Sequence, residues 1–166
     1  LIFCYGIVCN LSQWKYQTDR FKEKYQIVHF DYRGHNRSEM PKNSDLLTIK
    51  GCALDLAAVM KSLGIEKTVL IGHSMGINIA LQFAALYPKM VSGLVLICGT
   101  TENPFKTMFN TDLSLAGFEF LKLAYLKFPK QFPRLWKKAI PSPMSRLMTG
   151  LLGFNFQLAK RRDVKK

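Results

Sequence analysis

Nowhere does this chain hold an unbroken apolar run of the roughly 18 uncharged residues that a membrane-crossing helix needs, so a spanning helix is excluded. No two of the four cysteines, Cys4, Cys9, Cys52 and Cys98, form a C-x-x-C pair with a matching set of histidines, which removes the common zinc-site spacings. Cys4 and Cys98 fall in apolar, strand-like runs. We therefore expect buried free thiols, no disulfide, no metal, and a reducing, cytoplasmic setting. Internal repeats and low-complexity tracts are absent, and 48% hydrophobic content over 166 residues suits a globular core. Neither an initiator Met nor a basic leader precedes Leu1-Ile2-Phe3-Cys4; the chain is expected to begin inside a strand, and a signal peptide is neither supported nor excluded.

Acidic side chains are also scarce: 11 Asp and Glu face 24 Lys and Arg, for a formal charge of +13. The imbalance is uneven. From Glu102 onward thirteen basic residues meet only Glu102, Asp112, Glu119 and Asp163, so +9 of the charge lies in the last two-fifths of the chain. An electrostatic partner would meet that part first.

Four short, β-branched runs read as strands, at residues 1–4, 26–30, 68–71 and 94–98. Between them the apolar spacing turns helical. Ser12 is placed to cap a helix carrying Trp14, Phe21 and Tyr25. A second helix is expected from Thr48 to about Leu63, with Leu54, Ala57, Ala58 and Val59 facing inward and Gly64 supplying a left-handed stop. A third, from Met75 to Leu86, is apolar around most of its circumference and must be buried; Pro88 ends it. Strands alternating with helices imply an α/β fold with a parallel sheet, because parallel neighbours need long crossovers. After Gly99 the alternation stops and prolines appear at 129, 133, 141 and 143. Residues 1–100 are therefore read as an α/β core and residues 101–166 as a helical insertion.

The sharpest chemical signal is Gly72-His73-Ser74-Met75-Gly76, a G-x-S-x-G set between an expected strand and a buried helix. Such a turn strains the serine and exposes its Oγ at the carboxyl end of the sheet, while flanking glycines give the backbone room. The helix N-terminus behind it offers the Met75 N–H to a developing oxyanion.

With Asp31-Tyr32-Arg33-Gly34-His35-Asn36-Arg37-Ser38, similar to a D-x-R-G-x-G-x-S loop, and a helix with Glu66-Lys67 leading into the elbow strand, residues 1–99 resemble the α/β-hydrolase family. The resemblance implies Ser74 as catalytic nucleophile and the N–H groups of Met75 and Ile7 as its oxyanion hole. The four strands become the third to sixth of that fold, contiguous in space, which makes residues 1–100 a partial α/β-hydrolase core and residues 101–166 a helical cap or lid segment like those the family inserts after its sixth strand. No cofactor is implied. Three positions depart from the pattern: Tyr5 stands where the family has His before Gly6, Asn36 replaces a glycine, and Ile77 occupies a usually small site. Asn tolerates the left-handed conformation that position 36 requires.

A serine needs an imidazole to take its proton and a carboxylate to orient that imidazole. The histidines here are His29, His35 and His73, all before Ser74, whereas the family's order is Ser, acid, His. His73 is expected to point away from Oγ, His29 to be a satisfied core residue, and His35 to be a loop residue. Glu102 stands where some lipases of the fold carry their acid; a solvated loop or capping role is the plainer reading. The 166 residues alone are therefore expected not to turn over.

These features describe the central piece of a serine hydrolase acting on a small ester or related acyl substrate, with Ser in the elbow arguing against the family's epoxide hydrolases, which place Asp there. Apolar residues of the cap point to an apolar acyl group. Two alternatives stay open: a non-catalytic relative that binds a ligand or partner, and a basic protein attached to an anionic membrane surface through Phe, Leu and Trp136 beside Lys137-Lys138. No nucleic-acid motif accompanies the charge, and nucleic acid is not expected. The run 160–166 reads as a solvated helix end, and residues 94–97 as an apolar sheet edge that would associate.

Overall fold

The computed structural model describes residues 1–7, 9–102 and 113–139. The chain divides into two compact units, Leu1–Pro104 and Phe105–Lys166.

The first unit is built on four strands, β1 (Ile2–Cys4), β2 (Val28–His29), β3 (Thr68–His73) and β4 (Val91–Ile97), in the order β2-β1-β3-β4. Every pairing is parallel. The α/β class is as the sequence implies, and the central strands are apolar on both faces because helices cover both. Cys4 lies across from Gly72, and Gly72 across from Leu96. This register ends β1, β3 and β4 on one edge, so residues 5–6, 73–74 and 98–99 emerge together.

Successive strand residues face opposite sides. Phe3 packs against Trp14, with ring centroids 5.0 Å apart, on the side of a 3-10 turn (Leu11–Trp14) and α1 (Lys15–Phe21). Cys4 meets α3 (Met75–Leu86) on the other face, where α2 (Ile49–Ser62) packs against α3. α3 has the bounds its apolar pattern predicts, and a 3-10 turn beginning at Pro88 follows it. Gly64 stops α2 with φ +66°, and Thr48 caps it by accepting from the Gly51 N–H at 2.9 Å.

Three expectations are corrected. The cap of the first helical stretch is Asn10, whose carboxamide oxygen accepts from the Ser12 N–H and hydroxyl at 2.9 and 2.6 Å, and Tyr25 lies beyond α1. The inner face of α2 is Cys52, Ala53, Leu56 and Met60. Leu54 is 44% exposed and Ala58 is exposed too, while Ala57 and Val59 are half-buried. A helix rich in Ala and Leu carries two apolar stripes, and contact with α3 selects one. Cys98 is exposed rather than buried, one residue past β4, and Cys9 is half-buried; all four thiols are free.

β4 pairs with β3 on one side, and Leu94, Val95, Leu96 and Ile97 are each 36–44% exposed.

The second unit contains α4 (Leu113–Lys127) and α5 (Phe132–Ala139). Their rings meet through Tyr125 and Phe132, centroids 5.9 Å apart. The side chain of Trp136, Pro141, Pro143 and the basic run at 160–166 lie outside the described residues. Among the described residues no helix is long and apolar enough to cross a membrane.

Candidate active site

Ser74 joins the end of β3 to the start of α3 with φ 53° and ψ −121°. This conformation costs a non-glycine residue about 1–3 kcal/mol and persists only where the surroundings impose it. They do so from three sides. The Ser74 N–H donates to the Ile97 carbonyl at 3.1 Å, tying the turn to the end of β4, and the Ser74 carbonyl accepts from the Ile77 N–H at 3.0 Å. A Cβ at Gly72 would stand 2.6 Å from the Gly76 carbonyl oxygen, and one at Gly76 would collide with the Cys4 carbonyl. The elbow glycines are required because strand and helix backbones meet there. Ser74 is half-buried and its side chain makes no capping bond with its own helix, so the first N–H groups of α3 keep their dipolar field at the site.

Residues 5–7 leave β1 beside this turn. A Cβ on Gly6 would lie 3.2 Å from Ser74 Cβ and 3.3 Å from His73 Nδ1. The Cys9 N–H donates to the Gly6 carbonyl at 3.2 Å, while the Gly6 N–H donates to Gln13 Oε1 at 3.3 Å. Ile7 lies in a turn and is 62% exposed. The stretches carrying Ser74, Met75 and Ile7 thus come together.

The loop 31–38 abuts the same corner. Arg33 grips Asp55 of α2 with two bonds of 2.7 and 2.6 Å and donates to the Leu46 carbonyl at 3.0 Å. That fork pushes the Arg33 pKa further above its ordinary value through the hydrogen bond to Asp55. Ser38 Oγ donates to the Asp31 carbonyl at 2.7 Å. Asn36 takes φ +47°, the left-handed conformation its residue type tolerates.

Tyr5, where a family histidine is absent, is fully buried. Its hydroxyl donates to Asp31 Oδ1 at 3.1 Å and accepts from the Tyr32 N–H at 3.2 Å. Burial pushes the phenol up to about 12. Ile77 is also buried, and its space comes from Gly99: a Cβ there would stand 2.5 Å from Ile77 Cδ1 and 2.9 Å from the Ser74 carbonyl. Neither Gly99 nor the Tyr5–Asp31 bond had a signal in the sequence, because each depends on elements far apart in the chain.

The histidines stand elsewhere in function. His29 Nε2 shares a 2.8 Å hydrogen bond with the Thr18 hydroxyl, and its ring stacks on Phe3; burial lowers its pKa. His35 Nδ1 lies 3.3 Å from the Arg33 carbonyl, and its ring centroid is 6.2 Å from that of Tyr5 and 5.6 Å from that of Tyr32. His73 meets the edge of Trp14. Among the described residues none of the three is hydrogen-bonded to the Ser74 hydroxyl. Glu102 is exposed, its N–H donating to Thr100 Oγ1 at 3.0 Å. No cluster of His, Cys, Asp or Glu among the described residues could hold a metal.

Ser74 is thus a strained serine at a strand-to-helix turn of a parallel sheet. The model of the alpha/beta hydrolase fold matches residues 1–162. The chain belongs to this family. Among its relatives, epoxide hydrolase 1 of Caenorhabditis elegans is 31% identical over 128 residues, covering 77% of this chain and 31% of that protein. A solved epoxide hydrolase from Bacillus megaterium is similar with a TM-score of 0.58 and 29% identity, over 66% of this chain and 39% of that one. An esterase from a marine microorganism is similar with a TM-score of 0.53 and 29% identity, over 57% and 35%. This α/β-hydrolase chain spans about a quarter to a third of the length of the curated relatives it matches.

Proposed function

We propose that the chain supplies the nucleophile and oxyanion elements of a serine hydrolase that cleaves an ester or related acyl bond. The observation that carries this reading is the Ser74 backbone, φ 53° and ψ −121° in the turn between β3 and α3. A side chain held so presents Oγ beside the free N–H groups of a helix N-terminus, where negative charge is stabilised. The Met75 N–H, with that of Ile7, would receive the carbonyl oxygen as Ser74 Oγ adds to the acyl carbon. The leaving alcohol departs, and water releases the acid from the acyl-enzyme.

Relatives include both epoxide hydrolases and esterases, and the chemistry of residue 74 favours the second. A carboxylate that opens an epoxide forms an ester, which water can hydrolyse at its carbonyl carbon. A serine doing the same would form an ether with no carbonyl to attack, and the enzyme would stay alkylated. The imidazole and carboxylate that complete the triad are not met among the described residues, so the 166 residues alone are expected to be inactive.

The test is labelling of the intact protein with a fluorophosphonate probe, alongside p-nitrophenyl esters and a simple aryl epoxide as substrates. Labelling lost in Ser74→Ala, with ester but no epoxide turnover, is expected. Epoxide turnover that survives Ser74→Ala would sink the reading.

A further inference from the structure

Ile7 sits in a turn that one side chain holds at both ends. Asn36 Nδ2 lies 3.1 Å from Asp31 Oδ1, 3.4 Å from the Tyr5 hydroxyl and 3.4 Å from the Cys9 carbonyl. Tyr5 precedes the turn and Cys9 closes it, so the amide bridges the two residues that bracket it. Asp31 anchors the bridge. Its side chain is 6% exposed, accepts from the Tyr5 hydroxyl at 3.1 Å, and has the Nε of the exposed Arg37 at 3.6 Å from Oδ2. The backbone at position 36 has φ +47°, which glycine would adopt at no cost. What Asn adds over glycine there is the amide.

We propose that Asn36, acting with the Tyr5 hydroxyl and the Asp31 carboxylate, is a positioning residue that fixes the turn at Ile7 and thereby the direction of the Ile7 N–H. This rests on Ser74 being the nucleophile and on that turn forming one wall of its oxyanion pocket. The two departures at positions 5 and 36 then compensate one another. A phenol replaces an imidazole ahead of Gly6, and an amide reaches across to hold that phenol and the far end of the turn. Asn36 is exposed, so water competes for its bonds and its contribution to global stability is small. Its contribution is to geometry. A dipole aimed before the reaction stabilises charge that develops only in the transition state, so loosening it lowers kcat and leaves KM in place.

Two variants of the intact protein test this. Asn36→Gly keeps the backbone conformation and removes the amide; Asn36→Asp keeps the shape, removes both N–H donors and sets a second carboxylate against Asp31. Each is expected to lower kcat for p-nitrophenyl butyrate about tenfold at unchanged KM. Each is also expected to speed amide hydrogen exchange about tenfold at Cys9, whose N–H is bonded to the Gly6 carbonyl. The melting midpoint stays in place in Asn36→Gly and falls in Asn36→Asp through like-charge repulsion. Unchanged exchange at Cys9 in Asn36→Gly overturns the assignment, whatever happens to kcat, and so does unchanged kcat in an enzyme that is active. Should the wild-type protein neither react with a fluorophosphonate nor hydrolyse the ester, the Ser74 reading fails by itself. Exchange at Cys9 then decides the clamp alone, faster exchange supporting it and unchanged exchange refuting it.

Discussion

Tyr5 and Tyr32 exchange hydrogen bonds across the carboxyl ends of β1 and β2: the Tyr32 N–H donates to the Tyr5 hydroxyl at 3.2 Å, and the Tyr32 hydroxyl donates to the Tyr5 carbonyl at 3.0 Å. Their rings lie 4.3 Å apart, and both are fully buried. Burial raises the pKa of both phenols. The pair locks the loop 31–38 to the start of the stretch that faces Ser74.

Tyr5→Phe keeps the ring and removes the hydroxyl, taking from the Tyr32 N–H its buried acceptor and from Asp31 Oδ1 one of its two donors. A loss of about 1–3 kcal/mol is expected, measured by urea unfolding of the intact protein. An unchanged midpoint would mean that water replaces the phenol.

Gly76→Ala is expected to abolish folding or cost about 4 kcal/mol or more, because the new methyl meets the Cys4 carbonyl rather than a side chain that could swing away. The readout is soluble yield and circular dichroism. Native-like stability would show that α3 can lift from β1.

Gly99→Ala presses on both Ile77 Cδ1 and the Ser74 carbonyl. In the Ile77→Ala background the first contact vanishes. A double-mutant cycle in unfolding free energy should therefore give a coupling of about 0.5–3 kcal/mol, with Gly99→Ala costing less in that background. Additive effects would refute the packing account of Ile77.

His29 predicts an acid limit. Burial holds its pKa below the ordinary value of about 6.5, so the unfolded chain binds the proton first. Its contribution to stability is complete above that ordinary value and declines as pH falls below it, until the folded form also titrates. His29→Gln should reduce the difference in unfolding free energy between about pH 7.5 and about pH 5.5. A pH dependence identical to wild type would assign the effect elsewhere.

The apolar outer strand predicts association. Expressed alone, the 166 residues are expected to sediment as oligomers or aggregate, and Leu94→Lys with Leu96→Lys should raise the soluble fraction, since charge on an edge opposes pairing. A wild-type chain that runs as a cooperatively melting monomer contradicts this.

Where local chemistry decides, residue order was enough. Pro88 and an all-round apolar pattern bounded α3, Gly64 and Asn36 adopt the left-handed backbone their types allow, and a serine between glycines after a β-branched run marked the strained turn. These depend on sterics within a few residues, which are written into the chain. Which stripe of α2 faces inward, that Gly99 makes room for Ile77, and that Tyr5 reaches Asp31 were settled only when elements 20 to 30 residues apart met. Packing and hydrogen bonds between distant segments choose among locally equivalent options, because the free energy that separates those options exists only in the assembled core.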